Sequence, residues 1–139
     1  MVGNPVLLYW DTSALISALL EDEHTEKALS WLRTNGDHLI SSLAFAEVQA
    51  VLQRVQRESN MPNLVKKVQA ELQAGPWKRL NLLPEWSLFQ VLAKKWSLRG
   101  ADLWHLAMAK TVAHRFPELR VLSFDRRLSE AARGEGFAA

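Results

Sequence analysis

Near each end of this 139-residue chain, a short stretch rich in apolar, strand-forming residues runs straight into an aspartate. Val6-Leu7-Leu8-Tyr9-Trp10 stops at Asp11, and Leu119 to Phe124 stops at Asp125. The first run is continuous and too short for a helix of ordinary length, so it reads as a strand covered on both faces. Pro5 ahead of it is tolerated, because the first residue of a strand need not donate to a ladder. Asp11-Thr12-Ser13 supplies three side chains able to cap a helix, and helical spacing follows at once. A strand that hands over directly to a helix, and does so repeatedly, leads to parallel pairing with helices on both faces.

The remaining elements fit that pattern. Ala14 to Leu20 is helical; Glu21-Asp22-Glu23 opens a second helix, with Ala28, Leu29 and Leu32 on one face, ending near Asn35-Gly36. His38 to Ser41 reads as a short strand. Ser42 begins a helix carrying Ala44, Val48, Val51, Leu52 and Val55 at helical spacing. Pro62 starts another helix, which runs to Gly75-Pro76; Lys78 to Leu83 is a strand, and Pro84 starts a helix through Trp96. Gly100 interrupts, Asp102 to His114 reads as an amphipathic helix, and Asp125 caps a last helix to Arg133. The expected fold class is α/β: a three-layer α/β/α sandwich around a mainly parallel sheet, with residues 1–139 forming one domain. In such sheets ligands bind beyond the carboxyl ends of the strands. Asp11 and Asp125 each follow a strand, so both belong on that rim.

Composition narrows the function. Hydrophobic residues make up 48% of the chain and charged residues 23%, the profile of a globular protein. No apolar run approaches the roughly 20 residues of a membrane helix. Met1 to Trp10 has no basic start, so no secretory signal and no membrane association are expected. The absence of cysteine excludes disulfides, thiol nucleophiles and Cys-ligated zinc, and the expected location is cytoplasmic. A net charge of +2 is a weak pointer to an anionic partner, weightier if several acids are gathered in one pocket. Six tryptophans suit core packing or an oligomer interface.

Asp11, Asp102 and Asp125 all stand at helix starts, where a cap or the helix dipole accounts for each one singly. Glu47 differs. It lies three residues after Ala44 and four before Val51, on the apolar stripe, with no basic residue at a helical neighbour position. A carboxylate there is costly without cation, metal or donor partners. Four carboxylates at one sheet rim would repel unless a cation sat among them, and an all-oxygen set suits Mg²⁺ or Mn²⁺. Such a metal polarises a phosphodiester and delivers hydroxide without a protein nucleophile. Residue chemistry thus leads to an acidic metal site for phosphate chemistry.

Four segments, Leu7 to Leu15, Ser42 to Val48, Gly100 to Ala109 and Val121 to Leu128, in this order and spacing, resemble the PIN-domain nucleases, especially the VapC-type toxins of toxin–antitoxin modules. The resemblance spans nearly the whole chain. It implies an α/β/α fold and RNA cleavage with one or two Mg²⁺ or Mn²⁺ ions. It carries Asp11, Glu47, Asp102 and Asp125 over as catalytic, metal-site acids. Ser13 matches a hydroxyl position beside the first acid, and Ser123 stands where the family often has Thr or Ser; a helix cap and a strand end are their plainer roles. Thr12 is assigned to capping. With the tryptophan-rich composition, the resemblance also implies a homodimer and a cognate antitoxin.

His105 follows Asp102 by three residues and reads as a packed histidine. Arg99, Arg126 and Arg127 flank acidic segments and suit phosphates at a cleft edge as well as they suit solvent. Gln53-Arg54 to Arg57 and Lys66-Lys67 form a basic rim or an ordinary solvated face. The expected function is a metal-dependent endoribonuclease leaving 3′-hydroxyl and 5′-phosphate ends. An Asp-nucleophile phosphatase needs a second Asp two residues after the first, where Ser13 stands. A non-catalytic PIN-like scaffold is the other alternative, but such scaffolds arise by losing these acids, and all four are present.

Overall fold

The computed structural model describes residues 4–139. Four strands, β1 (Val6–Trp10), β2 (Gly36–Ile40), β3 (Trp77–Arg79) and β4 (Arg120–Leu122), form a parallel sheet in the order β3-β2-β1-β4. Between and after them run α1 (Thr12–Leu19), α2 (Thr25–Leu32), α3 (Ser42–Glu58), α4 (Leu64–Ala74), α5 (Trp86–Lys95), α6 (Gly100–Arg115) and α7 (Arg126–Gly134).

The three layers follow from the period of two in the strands. Leu8, Trp10, Ile40 and Leu122 point to one face and pack with buried residues of α1 to α4, among them Leu15, Ala28, Val48 and Leu72. Tyr9, Leu39 and Val121 point to the other face and meet Leu92 of α5, Leu106 and Met108 of α6 and Leu128 of α7. Both faces are therefore dry, and every residue from Leu8 to Trp10 is fully buried. Burying one such leucine stabilises the fold by about 1.5 to 3 kcal/mol.

Several expected boundaries move. β3 ends at Arg79 instead of running to Leu83. As the sheet's edge it has one neighbour; after Leu80 N–H meets the Ile40 carbonyl at 2.9 Å, the chain leaves the ladder with Leu82 and Leu83 exposed. β4 stops at Leu122, because Phe124 N–H is taken by the Ser13 hydroxyl at 2.9 Å. Glu21-Asp22-Glu23 lies ahead of α2 rather than inside it: the Asp22 carboxylate accepts the His24 N–H at 2.8 Å and Ser17 Oγ–H at 2.8 Å, closing a turn. Helices α4 and α5 begin at Leu64 and Trp86, each two residues after its proline.

Helix α6 departs most from the reading. It starts at Gly100, and His105 to Ala109 are all buried in succession, so its centre is covered all round rather than along one stripe. Wedged against α5 and α7 as well as the sheet, it has no free face there. Its far side is clasped by Glu135, whose buried carboxylate takes Lys110, Lys95 (2.7 Å) and Trp96 Nε1–H (2.9 Å). Burial opposes ionisation of Glu135, but these donors outweigh it and hold its pKa down at about 2. Among the described residues, no helix is long and apolar enough to cross a membrane.

Candidate active site

The strand order defines where a site belongs. The chain builds outward from β1 through β2 to β3, then returns to place β4 on the other side of β1. The order reverses between β1 and β4, and at such a switch point the two following loops part and leave a crevice. Trp10 pairs with Leu122 on one side and Ile40 on the other, so Asp11, Ser41 and Ser123 stand at one level along the rim.

Asp11 sits at the head of the crevice, 2% exposed. It is the N-cap of α1: Oδ1 accepts the Ala14 N–H at 2.8 Å and the Ser13 hydroxyl at 2.7 Å, while Oδ2 accepts the Ser123 hydroxyl. Ser13 and Ser123 do more than cap a helix and end a strand. Ser13 Oγ also receives Phe124 N–H and Ser123 Oγ receives Asp125 N–H at 3.1 Å, so the two hydroxyls lace the β1 and β4 loops around one carboxylate. Burial pushes the Asp11 pKa up to about 6; the hydrogen bonds from Ser123, Ala14 and Ser13 work against this, and the charge of Asp102 adds to it.

Glu47 comes from α3. The buried stripe of that helix is Ala44, Val48 and Leu52, and Glu47 lies beside it with its side chain 39% exposed, at the crevice edge rather than on the buried face. Its Oε1 accepts the Thr12 hydroxyl at 2.6 Å. Thr12 is thus no cap. It is the first residue of α1, and its hydroxyl bridges Glu47 and His105 Nε2, the latter at 2.9 Å. His105 is buried, with Nδ1 2.7 Å from the Tyr9 hydroxyl. Burial lowers its pKa to about 4, so the ring is neutral at neutral pH. Sequence reasoning passed over Tyr9 as strand filling and Thr12 as a cap; the only signal was their closeness in sequence to Asp11.

Asp102 and Asp125 complete the rim. Asp102 lies in the first turn of α6, and Asp125 caps α7 by accepting Leu128 N–H at 2.9 Å. The Asp102 pKa is raised by burial first, then by the charges of Asp125 and Glu47, while Arg99 and Arg127 pull the other way. Each of the four acids is therefore linked by charge to at least one other. Arg99 and Arg127 face this cluster electrostatically; Arg126 is largely exposed and leans toward Glu130, 3.6 Å away.

Among the described residues, no three Asp, Glu or His side chains stand close enough to form a ready-made ion cage. The donor set nonetheless suits a hard cation. It is all oxygen, and Mg²⁺ is commonly held by one or two carboxylates with the remaining positions taken by water and substrate phosphate. A cavity of about 790 Å³ lies elsewhere, lined by residues of α1, α2 and α4 together with Trp77, and none of the four acids lines it. Glu47, Asp102 and Asp125 are part-exposed along this rim, while Asp11 is buried at its base.

The profile of the PIN domain matches residues 8–134. The chain belongs to the PIN-domain family. Comparison with curated protein sequences gives no match. Among solved structures it is similar to PAE2754 from Pyrobaculum aerophilum, at 21% identity and a TM-score of 0.59 over 93% of this chain and 87% of that one. It is similar to the Mycobacterium tuberculosis toxin VapC20, described as cleaving the sarcin–ricin loop, at 14% identity and a TM-score of 0.59 over 94% and 96% of the two chains. VapBC2 from Rickettsia felis, solved with a DNA fragment from its promoter, matches at 14% identity and a TM-score of 0.52 over 86% and 100%. At these identities the likeness establishes the fold.

Proposed function

We propose that this protein is a Mg²⁺- or Mn²⁺-dependent endoribonuclease and the toxin of a toxin–antitoxin pair. The observation that carries the reading is the electrostatic linkage of Asp11, Glu47, Asp102 and Asp125 across the switch point of a PIN fold. A bound cation would relieve that repulsion, polarise a phosphodiester and lower the pKa of a bound water. Asp11, Glu47, Asp102 and Asp125 are the side chains to hold it. Ser13 and Ser123 fix the orientation of Asp11, and Arg99 and Arg127 supply positive charge beside the acids for an RNA backbone.

The partners belong to the same reading. The cavity beside α1, α2 and α4 combines Leu19, Leu29 and Trp77 with Glu23, Glu26 and Glu71, a surface for an antitoxin segment bearing apolar and basic side chains. Trp86 is 84% exposed at the start of α5, and Leu83 and Val91 nearby in sequence are also exposed, apolar surface that a homodimer would cover. The test is direct. Purified protein is expected to cut single-stranded or loop RNA with Mg²⁺ or Mn²⁺, leaving 3′-hydroxyl and 5′-phosphate ends, and to stop in EDTA. Undiminished cleavage in EDTA would overturn the metal-dependent reading.

A further inference from the structure

Glu47 is the only one of the four acids whose carboxylate is held by a side chain that is itself held by a buried histidine, and counting protons along that connection gives it a direction. The Thr12 hydroxyl has one proton, donated to Glu47 Oε1 at 2.6 Å. Its 2.9 Å contact with His105 Nε2 must therefore be one in which the oxygen accepts, which requires the proton on Nε2. A neutral imidazole carries only one N–H, so Nδ1 is bare and accepts the Tyr9 hydroxyl proton at 2.7 Å. With the Glu47 carboxylate as the terminal acceptor, Tyr9 O–H to His105 Nδ1, His105 Nε2–H to Thr12 Oγ1, and Thr12 O–H to Glu47 Oε1 form one uninterrupted sequence.

The scaffold makes this sequence rigid. Tyr9 is fully buried in the central strand, and its ring meets that of His105 edge-on at 5.7 Å. Trp104 closes on His105 from another side, edge-on at 5.8 Å. His105 Nε2 lies 3.8 Å from Glu47 Oε1, too far for a direct hydrogen bond, so Thr12 is the necessary link between them.

We infer that Tyr9, His105 and Thr12 are positioning residues that act through Glu47: a one-way hydrogen-bond chain anchored in the sheet fixes Oε1 and leaves Oε2 as the oxygen free to meet a cation. Partners behind a metal ligand orient it and set its basicity, and losing one commonly lowers metal affinity by about 10- to 100-fold. The inference rests on the metal-dependent reading above, since it assigns Glu47 its partner.

Two measurements on the full chain test it. In wild-type protein without metal, ¹⁵N-resolved NMR at neutral pH is expected to show His105 with Nε2 protonated and Nδ1 bare; the opposite tautomer overturns the chain. Mn²⁺ titrations, read by binding rather than turnover, are then compared for wild type, Thr12→Val and Thr12→Ser. Thr12→Val, close to isosteric but without a hydroxyl, is expected to weaken Mn²⁺ binding about tenfold, and Thr12→Ser to restore it to within about threefold of wild type. Tyr9→Phe is expected to shift binding in the same direction by less, with His105 still protonated on Nε2 because Thr12 continues to accept from it. Equal Mn²⁺ affinity in wild type and Thr12→Val overturns the positioning role while leaving the nuclease reading intact. Failure of wild type itself to bind Mn²⁺ or cut RNA overturns the nuclease reading, and this inference falls with it.

Discussion

Asp11→Asn is expected to lose at least about 100-fold in RNA cleavage at saturating Mn²⁺ while keeping its fold. Asn can still accept the Ala14 N–H and the Ser13 hydroxyl through one oxygen, so the N-cap of α1 survives. At the other position an amide NH₂ replaces the oxygen that accepts Ser123 O–H, but the Ser123 hydroxyl can rotate and accept instead. What is removed is a buried negative charge, whose desolvation already opposes ionisation. Cation placement supplies several kcal/mol to a phosphoryl-transfer transition state, and each 1.36 kcal/mol is about tenfold in rate. Single-turnover cleavage, with urea unfolding as the check on folding, measures both halves. A variant within about tenfold of wild type would remove Asp11 from the site.

Gly36→Ala is expected to have the largest effect on stability, at least about 3 kcal/mol. Gly36 opens β2 opposite Val6 with φ +139°, a conformation that side chains rarely adopt. A Cβ placed there would lie 2.0 Å from the Val6 carbonyl oxygen, which belongs to the neighbouring strand's backbone and cannot swing aside. Relief would require β1 and β2 to separate or slip at the start of their shared ladder, and a slip of one residue reverses the faces presented by Leu39 and Ile40. Because β1 and β2 also set the level of Asp11 against Ser41, activity is expected to fall with stability. Urea denaturation gives the first number; a loss below about 1 kcal/mol would mean that the pairing is more pliant than this geometry allows.

What could be read from the sequence and what could not follow a physical divide. β1 was visible because a strand buried on both faces is continuously apolar, and Asp11 was visible because a polar residue ends that run abruptly. Glu47 stands out in the sequence for an imperfect reason: it borders the apolar stripe of α3 rather than joining it. The alternation from Lys78 to Leu83 overstates β3 because it persists after the sheet edge stops offering a partner. The sequence does not reveal the character of α6, because a helix surrounded by two others and a sheet loses its polar face, which depends on tertiary neighbours. The Tyr9–His105–Thr12 connection was hidden entirely, since it joins residues up to 96 positions apart by atoms whose meeting only the fold decides.

The central claim is that Asp11, Glu47, Asp102 and Asp125 form one metal site, and urea unfolding of Asp102→Asn beside wild type tests it most directly. Asp102 feels the charges of both Asp125 and Glu47, so in EDTA the variant should be more stable than wild type by about 1 kcal/mol through relief of like-charge repulsion. Excess Mn²⁺ should then stabilise wild type more than the variant, because a ligand raises stability only as far as it binds the folded state. That reversal of order between EDTA and Mn²⁺ is the predicted result. A variant that is less stable than wild type by more than about 1 kcal/mol in EDTA, and equally responsive to Mn²⁺, would make Asp102 a structural residue of the α6 start and contradict the site.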